Sequence, residues 1–116
     1  MSPTPVADLS AEDAKLVTLA RATRARTGAA EGAAVRDLDG RTYAACTVDL
    51  PSLKVSAVQV CVAMAVASGA KGLEAAVVLG DLAELPAPDR SALHDLAGPS
   101  VVVHLADARG TQVTTS

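Results

Sequence analysis

The chain has 116 residues, of which 50% are hydrophobic and 20% are charged. This size and composition are typical of one globular domain and exclude a disordered or low-complexity scaffold. The net charge of -3 offers no electrostatic footprint for a phosphate backbone, and the only aromatic residue, Tyr43, leaves almost no surface on which bases could stack. We therefore expect no nucleic-acid partner.

The chain also lacks the features of an exported or membrane-bound protein. Its first ten residues, MSPTPVADLS, contain no charged segment followed by an apolar one, so a secretory signal is not expected. The longest apolar stretch, residues 53–67, is too short to span a bilayer and is interrupted by Lys54 and Gln59. We expect a cytoplasmic protein with no membrane partner, in which Cys46 and Cys61 remain free, buried thiols.

The start of the chain predicts an arm followed by a helix. Residues 1–9 contain two prolines and predict a flexible arm that precedes one domain over residues 10–116. Ser10, followed three residues later by Asp13, is a variant of the capping box that begins helices. Apolar residues then recur on one face, which predicts an amphipathic helix over residues 10–26.

The next segments predict a hairpin and a second helix. Strand-compatible segments at residues 29–35 and 41–48 flank Asp39-Gly40, a strong hairpin signal. Residues 53–67 alternate valines with small residues as a buried strand would, but their length and Gly69 at the end favour a helix. A helix that is apolar on nearly all sides must be buried against more than one sheet face.

The second half of the chain predicts alternating strands and helices. Residues 73–79 and 100–105 are short apolar runs typical of central strands, and residues 88–97 between them predict a short helix. Residues 111–115 predict a last strand. The order predicts a three-layer α/β/α sandwich with a mixed sheet of about five strands, mostly parallel with an antiparallel edge. A doubly wound open sheet is the alternative, and the early Asp39-Gly40 hairpin argues against it.

One segment of the chain carries motifs in a recognisable order. Between Thr27 and Ser52 stand a Gly-Ala-Ala strand, an Asp-Gly turn and a Cys-x-Val-x-x-x-Ser strand end. The residues concerned are Gly28, Gly32, Ala33, Ala34, Asp39, Gly40, Arg41, Tyr43, Cys46, Val48 and Ser52. This segment resembles the opening of the small zinc-dependent cytidine deaminases, and the element order is similar over about residues 13–105. The resemblance implies the α/β/α fold of that family.

The resemblance also implies a set of chemical positions. Zinc deaminases hold one Zn²⁺ through three protein ligands, while a nearby glutamate that is not a ligand moves protons. In the cytidine branch, the second helix begins with Cys-Ala-Glu and the third with Pro-Cys-x-x-Cys. Alignment back from Gly69 places the first ligand at Ser56 and the glutamate at Val58, and alignment back from Leu93 and Asp95 places the other two ligands at Pro86 and Asp89.

These positions do not carry the chemistry that the family needs. A neutral Ser56 hydroxyl is a poor zinc ligand and Pro86 offers no ligand atom, so Asp89 alone could bind the metal. Val58 has no ionisable group and cannot act as the general acid or base. We therefore predict no catalytic residue, no metal site and no cofactor, unless unusual residues hold zinc.

The nucleoside pocket of the family is altered in parallel. Thr47 and Asp49 occupy the positions of the ribose-binding asparagine and glutamate, and with Ser52 they form a vestigial substrate site. The stacking phenylalanine of the family is Ala29 here, and the next asparagine is Leu50. The resemblance thus predicts a pocket without its stacking face.

Four other side chains could serve a metal or a reaction but lack any short ligand spacing. Cys46 and Cys61 are expected to be buried thiols, His94 a solvated helix residue, and His104 a hydrogen-bonded strand residue. Asp89, close to a helix start, is expected to act as a favourable N-terminal charge.

Three functions are compatible with these residues. The first is a non-catalytic interaction or structural subunit, with an unknown protein partner or as a homo-oligomer, dimer or tetramer, formed through the helix at residues 53–67. The second is an active cytidine or nucleoside deaminase that holds zinc with Asp89 and a thiol or imidazole. The third is a small-ligand binder in the vestigial pocket, lined by Asp49, Ser52, Ser56 and Gln59.

Overall fold

Two layers of helix enclose a six-stranded sheet in the computed structural model, which describes residues 3–116. Helix α1 (Ala11–Thr27) covers one face of the sheet, and α2 (Ala57–Ala67) and α3 (Ala87–Ala97) cover the other. The strands are β1 (Thr4–Pro5), β2 (Gly32–Asp37), β3 (Thr42–Cys46), β4 (Val48–Leu50), β5 (Leu53–Val55), β6 (Leu73–Leu79), β7 (Val102–Ala106) and β8 (Gln112–Thr115). The predicted three-layer α/β/α architecture is confirmed.

The main sheet is mixed and has the strand order β1-β8-β7-β6-β2-β3, while β4 and β5 form a separate hairpin. Among the strands of residues 3–116, only β6 and β7 run parallel to each other; β2 runs antiparallel to both β3 and β6. The mixed sheet agrees with the prediction, but the expectation of a mostly parallel centre is wrong. The β2–β3 hairpin lies at one edge, as predicted, but β8 and β1 pair antiparallel toward the other edge, which leaves β6 and β7 as the parallel pair.

Most predicted elements lie within two or three residues of the observed ones, and the second helix differs most. Residues Leu53–Val55 pair with β4 as a strand, and α2 begins only at Ala57. Ser56 is its N-cap, with the hydroxyl accepting a hydrogen bond from the Gln59 amide at 3.2 Å. Pro51 and Ser52 form the turn between β4 and β5.

The beginning of the chain, where the sequence predicts a flexible arm, contains a short strand and a 3₁₀ turn. Met1 and Ser2 lie outside the described residues, but Thr4–Pro5 pair with β8, and Val6–Asp8 form a 3₁₀ turn. Val6 and Leu9 pack against the core cluster beneath α1. These apolar contacts explain why the segment adds a sixth strand where the sequence predicts about five.

The helices pack closely on the sheet because small residues line it. A Cβ atom added at Gly32 in β2 would lie 2.2 Å from the backbone oxygen of Ala20 in α1. On the opposite face, Ala33 and Ala45 pack in one buried cluster with Val58 and Cys61 of α2. Within residues 3–116, no helix is long and apolar enough to cross a membrane.

Candidate functional site

The first turns of α2 and α3 meet on one face of the sheet and are joined through a carboxylate. The Ser56 hydroxyl donates to Oδ1 of Asp89 at 2.7 Å, and Nε2 of Gln59 donates to the same oxygen at 2.8 Å. Asp89 is only 3% exposed. Because both bonds involve an ionised acceptor, they are stronger than neutral hydrogen bonds. Asp89 thus cross-links the two helices.

Asp89 lies in the first turn of α3, where the sequence predicts a favourable N-terminal charge, and it is also buried. A carboxylate without water must find hydrogen-bond donors to offset its desolvation. Ser56 and Gln59 of α2 supply those donors. Ser56 is 33 positions from Asp89 in the sequence and Gln59 is 30, so the spacing alone does not indicate either contact.

A second carboxyl group, Glu31, enters the site from the residue before β2. Burial raises the pKa of Glu31, the negative charge of Asp89 raises it further, and a hydrogen bond from the Ala57 amide partly opposes both. Glu31 therefore lies at the start of α2, near Asp89. It is not among the residues predicted from the sequence, and no local pattern indicates it, because its approach to α2 depends on tertiary packing.

A groove of about 330 Å³ opens beside these residues. Its lining consists of Ala30, Glu31, Thr47, Val48, Asp49, Lys54, Val55 and Ser56. The Thr47 hydroxyl accepts a hydrogen bond from the Glu31 amide at 3.1 Å, and the exposed Asp49 forms an ion pair with Lys54. The groove thus includes the predicted Thr47 and Asp49 but not Ser52, which lies exposed in the β4–β5 turn.

The position expected for the general acid or base lies away from this groove. Val58 is completely buried and belongs to the apolar cluster between α2, α3 and the sheet. Pro86, which the resemblance places at the second ligand position, is the N-cap residue of α3 and makes no side-chain capping bond. The structure therefore brings Ser56 and Asp89 together, while Val58 and Pro86 add no polar atom to the site.

The other candidate side chains are dispersed. Cys61 is buried and Cys46 half-buried, and neither forms a disulfide. Burial raises the pKa of the Cys61 thiol to about 12, so the thiol stays protonated at neutral pH. His94 is half-buried on α3. In the part of the chain that the structure describes, no three histidine, cysteine, aspartate or glutamate side chains are placed to hold a metal ion.

His104 lies on the opposite face of the sheet, beneath the start of α1. It is 3% exposed, and its ring nitrogens contact Oγ1 of Thr115 at 2.7 Å and Oδ2 of Asp13 at 2.8 Å. Arg36 donates to the other oxygen of Asp13 at 2.9 Å. Burial raises the pKa of Asp13, but the bonds to His104 and Arg36 outweigh burial and lower it overall. As predicted, His104 is a hydrogen-bonded strand histidine.

Comparisons with known proteins define the class to which this fold belongs. The cytidine deaminase-like family model matches residues 9–110. The cytidine deaminase of Burkholderia pseudomallei is similar in structure, with a TM-score of 0.79, 22% identity, and 93% of this chain and 92% of that chain covered. The Mycobacterium leprae cytidine deaminase has a TM-score of 0.68 and 23% identity, with 90% of this chain and 94% of that chain covered. The Mycobacterium tuberculosis cytidine deaminase has a TM-score of 0.70 and 23% identity, with 81% of this chain and 85% of that chain covered. No curated protein sequence matches the chain.

The chain therefore belongs to the cytidine deaminase-like family, as its motifs indicate. This membership overturns one prediction. The sequence predicts no cofactor, but the family and the structural relatives are those of cytidine deaminases, and that class of enzyme works with zinc. Zinc is thus the cofactor that the fold implies, and the prediction of no cofactor is wrong.

The residues that the resemblance places at the three ligand positions do not fit zinc in the way the family requires. Zinc sites in proteins use thiolate, imidazole or carboxylate ligands. Here the Ser56 hydroxyl already donates its proton to Asp89, Pro86 has no ligand atom, and one oxygen of Asp89 accepts two hydrogen bonds. This donor set offers one suitable ligand where three are needed, so we derive no chemical step through the metal.

Proposed function

We propose that the protein is a non-catalytic member of the cytidine deaminase-like family that acts as an interaction or structural subunit. The observation that carries the proposal is the side chain at the general acid/base position, the fully buried Val58. Deamination of a base requires a group that activates water and a group that moves protons to the ring and the leaving amine. Valine can do neither.

The polar side chains near this position support the same proposal. Ser56, Gln59 and Asp89 satisfy one another through hydrogen bonds, so they have fewer free donors and acceptors for a substrate. Glu31 is a further carboxyl group at the start of α2, and it accepts a hydrogen bond from the Ala57 amide. The start of α2 is thus a closed hydrogen-bond network of the kind that stabilises a fold.

An activity assay with a metal measurement tests this proposal. Protein purified without a metal-binding tag is incubated with cytidine or deoxycytidine, with and without added zinc, and ammonia release is measured against a heat-denatured sample. We expect no release above that background. Release that a chelator abolishes, in protein that carries about one zinc per chain, would show an active deaminase with unusual ligands. The variant Glu31→Gln would then test whether Glu31 moves the proton.

The outer side of α2 supports self-association as the form that this role takes. Ala57–Ala67 contains no charged residue, and Met64 and Val66 are 36% and 56% exposed on it. Exposed apolar helix faces of this kind are typical of protein interfaces. We expect a dimer or larger homo-oligomer through α2 in light scattering at micromolar concentration, and a stable monomer would contradict the proposal.

A small-ligand binder is the second candidate, and the groove beside Glu31 favours it. Its volume of about 330 Å³ falls at the lower end of the range of ligand pockets, about 300–1,000 Å³. Thermal-shift screening against nucleosides and small amines tests this function. A stabilisation that saturates with ligand and that Glu31→Gln or Thr47→Val removes would support it, and no stabilisation at millimolar ligand would argue against it.

We also propose that the protein works in the cytoplasm. The two cysteines, Cys46 and Cys61, are unpaired, which suits a reducing compartment. Fractionation of the producing cells should find the protein with cytoplasmic markers, and its presence outside the cytoplasm would contradict the proposal.

A further inference from the structure

Three arginines from two parts of the chain lie together near the C-terminal end of α1, on the side of the sheet that α1 covers. Arg21 and Arg24 are one turn apart on α1, which places their Cβ atoms about 5–6 Å from each other. Arg109 belongs to the turn between β7 and β8, directly before Gly110. The stem of Arg21 lies over that turn, since a Cβ atom added at Gly110 would be 3.3 Å from Cδ of Arg21. We call these three arginines the arginine patch.

The positive charges of the arginine patch are not neutralised within residues 3–116, where none of the three guanidinium groups forms a salt bridge. Asp107, in the same turn as Arg109, accepts hydrogen bonds from the Thr111 amide at 2.8 Å and the Thr111 hydroxyl at 2.9 Å. Asp81, two residues after β6, lines a groove with Leu82 and Leu105, which pack on the opposite face of the sheet. The patch therefore keeps the charge of all three arginines.

The dipole of α1 explains only part of this arrangement. Basic side chains are favourable in the last turn of a helix because that end carries a partial negative charge, and this accounts for Arg24 and Arg26. Arg21 precedes the last turn, and Arg109 lies outside the helix. The Nε atom of Arg24 donates to the carbonyl oxygen of Ala30 at 3.1 Å, which holds the side chain in place and leaves its terminal amino groups as donors for a partner. Part of the patch is thus ordered before anything binds.

An extended acidic segment of another protein matches the chemistry of the patch. Guanidinium groups bind carboxylates through paired hydrogen bonds, and arginine clusters recognise acidic peptides in many complexes. Alternate side chains of an extended segment project to one side about 6.5–7 Å apart, which is close to the spacing of Arg21 and Arg24. Nucleic acid fits less well, because the net charge of the chain is -3 and Tyr43 is its only aromatic residue.

We propose that the arginine patch is a docking site for an extended acidic segment of a partner protein. This inference rests on the proposed role as an interaction subunit. It goes beyond that role by naming the surface and the chemistry of the partner. The patch and α2 lie on opposite sides of the sheet, so a partner bound at the patch leaves the outer side of α2 available.

Fluorescence anisotropy of the full chain with a labelled synthetic peptide tests the proposal. Glutamate alternates with serine in this peptide, and a reference peptide has glutamine in place of each glutamate. We expect only the acidic peptide to bind, with an affinity that falls as salt is added. The double variant Arg21→Gln/Arg109→Gln should raise the dissociation constant by about 10-fold, because two exposed ion pairs with the peptide are lost.

A second double variant, Lys15→Gln/Arg26→Gln, is the matched control. It removes the same charge from exposed positions of the same helix, but Arg26 points about 140° away from Arg21 around the helix axis. The control should change the dissociation constant by less than about 2-fold. Both double variants replace surface residues, so both should fold, which thermal unfolding verifies. Equal losses in the two variants would overturn the proposal, because binding would then depend on net charge alone.

The remaining outcomes separate this proposal from others. Equally tight binding to single-stranded DNA or to phosphatidylserine vesicles would overturn the assignment of a peptide partner. If the acidic peptide does not bind, while the chain self-associates and releases no ammonia from cytidine, the docking site alone is refuted. Release of ammonia would instead refute the proposed function, whether or not the peptide binds.

Discussion

The hydrogen bonds of Asp89 make the junction of α2 and α3 the most informative place to perturb. Asp89→Ala removes an acceptor that receives two donors, from Ser56 at 2.7 Å and Gln59 at 2.8 Å. Hydrogen bonds to a charged group contribute about 1.5–3 kcal/mol each. Ser56 and Gln59 are only half-buried, so water can replace part of the loss, and relief of the repulsion with Glu31 offsets another part. The lower limit, a loss of about 3 kcal/mol, is therefore expected.

Thermal and urea unfolding measure this loss. For a chain of this size, about 3 kcal/mol corresponds to a decrease in melting temperature of roughly 12 °C. Asp89→Asn keeps an oxygen acceptor at the same place and should cost only about 1 kcal/mol. Asp81→Ala, which removes an exposed carboxylate from the loop ahead of α3, is the matched control and should have almost no effect.

Two results would refute the reasoning. The first is a loss below about 1 kcal/mol for Asp89→Ala, or no coupling between Asp89→Ala and Ser56→Ala in a double-mutant cycle. The second is a melting temperature that a chelator lowers in the unchanged chain but not in Asp89→Ala. That pattern would show that a bound metal, and not the hydrogen bonds, joins the two helices.

Three further predictions concern other parts of the fold. The pKa of Asp13 is lowered in the folded chain, so the stability that its carboxylate contributes is present above the ordinary pKa of 3.8 and is lost as the pH falls through the folded value. The unfolding free energy of Asp13→Asn should therefore decrease less between about pH 5 and pH 2 than that of the unchanged chain. Equal decreases in the two proteins would contradict this prediction. Gly32→Ala should destabilise by about 3 kcal/mol in urea unfolding, because the added Cβ would lie 2.2 Å from the Ala20 oxygen, and a loss below about 1 kcal/mol would refute the close packing. With Cys46→Ser present, Cys61 should react with a thiol reagent at pH 8 only after unfolding, because burial raises its pKa to about 12; rapid reaction in the native state would show otherwise.

The fold could be predicted from the sequence wherever local signals and burial agree. The strand predicted at residues 73–79 agrees with β6 at both ends, because a continuous apolar segment must lie at the centre of the sheet. The Asp39-Gly40 turn correctly joins β2 and β3. Residues 53–55 are harder to predict, because Leu53 and Val55 fit a helix and a strand equally well. Only the partner strand β4 decides between them.

The candidate site is less predictable, because its contacts join residues far apart in the chain. Ser56 and Asp89 align with two ligand positions of the family, and the structure brings them within 2.7 Å. Nothing in their spacing indicates that Gln59 turns to the same carboxylate. Glu31 escapes prediction because sequence periodicity reports which residues face the core, whereas the approach of β2 to the start of α2 depends on tertiary packing.

The same tertiary packing bears on why Val58 is stable where the family has a glutamate. The position is completely buried in an apolar cluster with Val35 and Leu93. A carboxyl group there, without a metal or a substrate to receive its proton, would be desolvated at a cost of several kcal/mol, on the order of 2–7. If the protein is non-catalytic, as proposed, it does not need a glutamate that moves protons. Replacing that glutamate with an apolar residue then increases stability, since catalytic groups are held at the expense of stability. The hydrogen bond from Ser56 to Asp89 acts in the same direction, because it joins α2 to α3 where the resemblance to the family places two zinc ligands. A scaffold altered in this way keeps its helices in position for contacts with a second copy, which is the role that the exposed side of α2 favours.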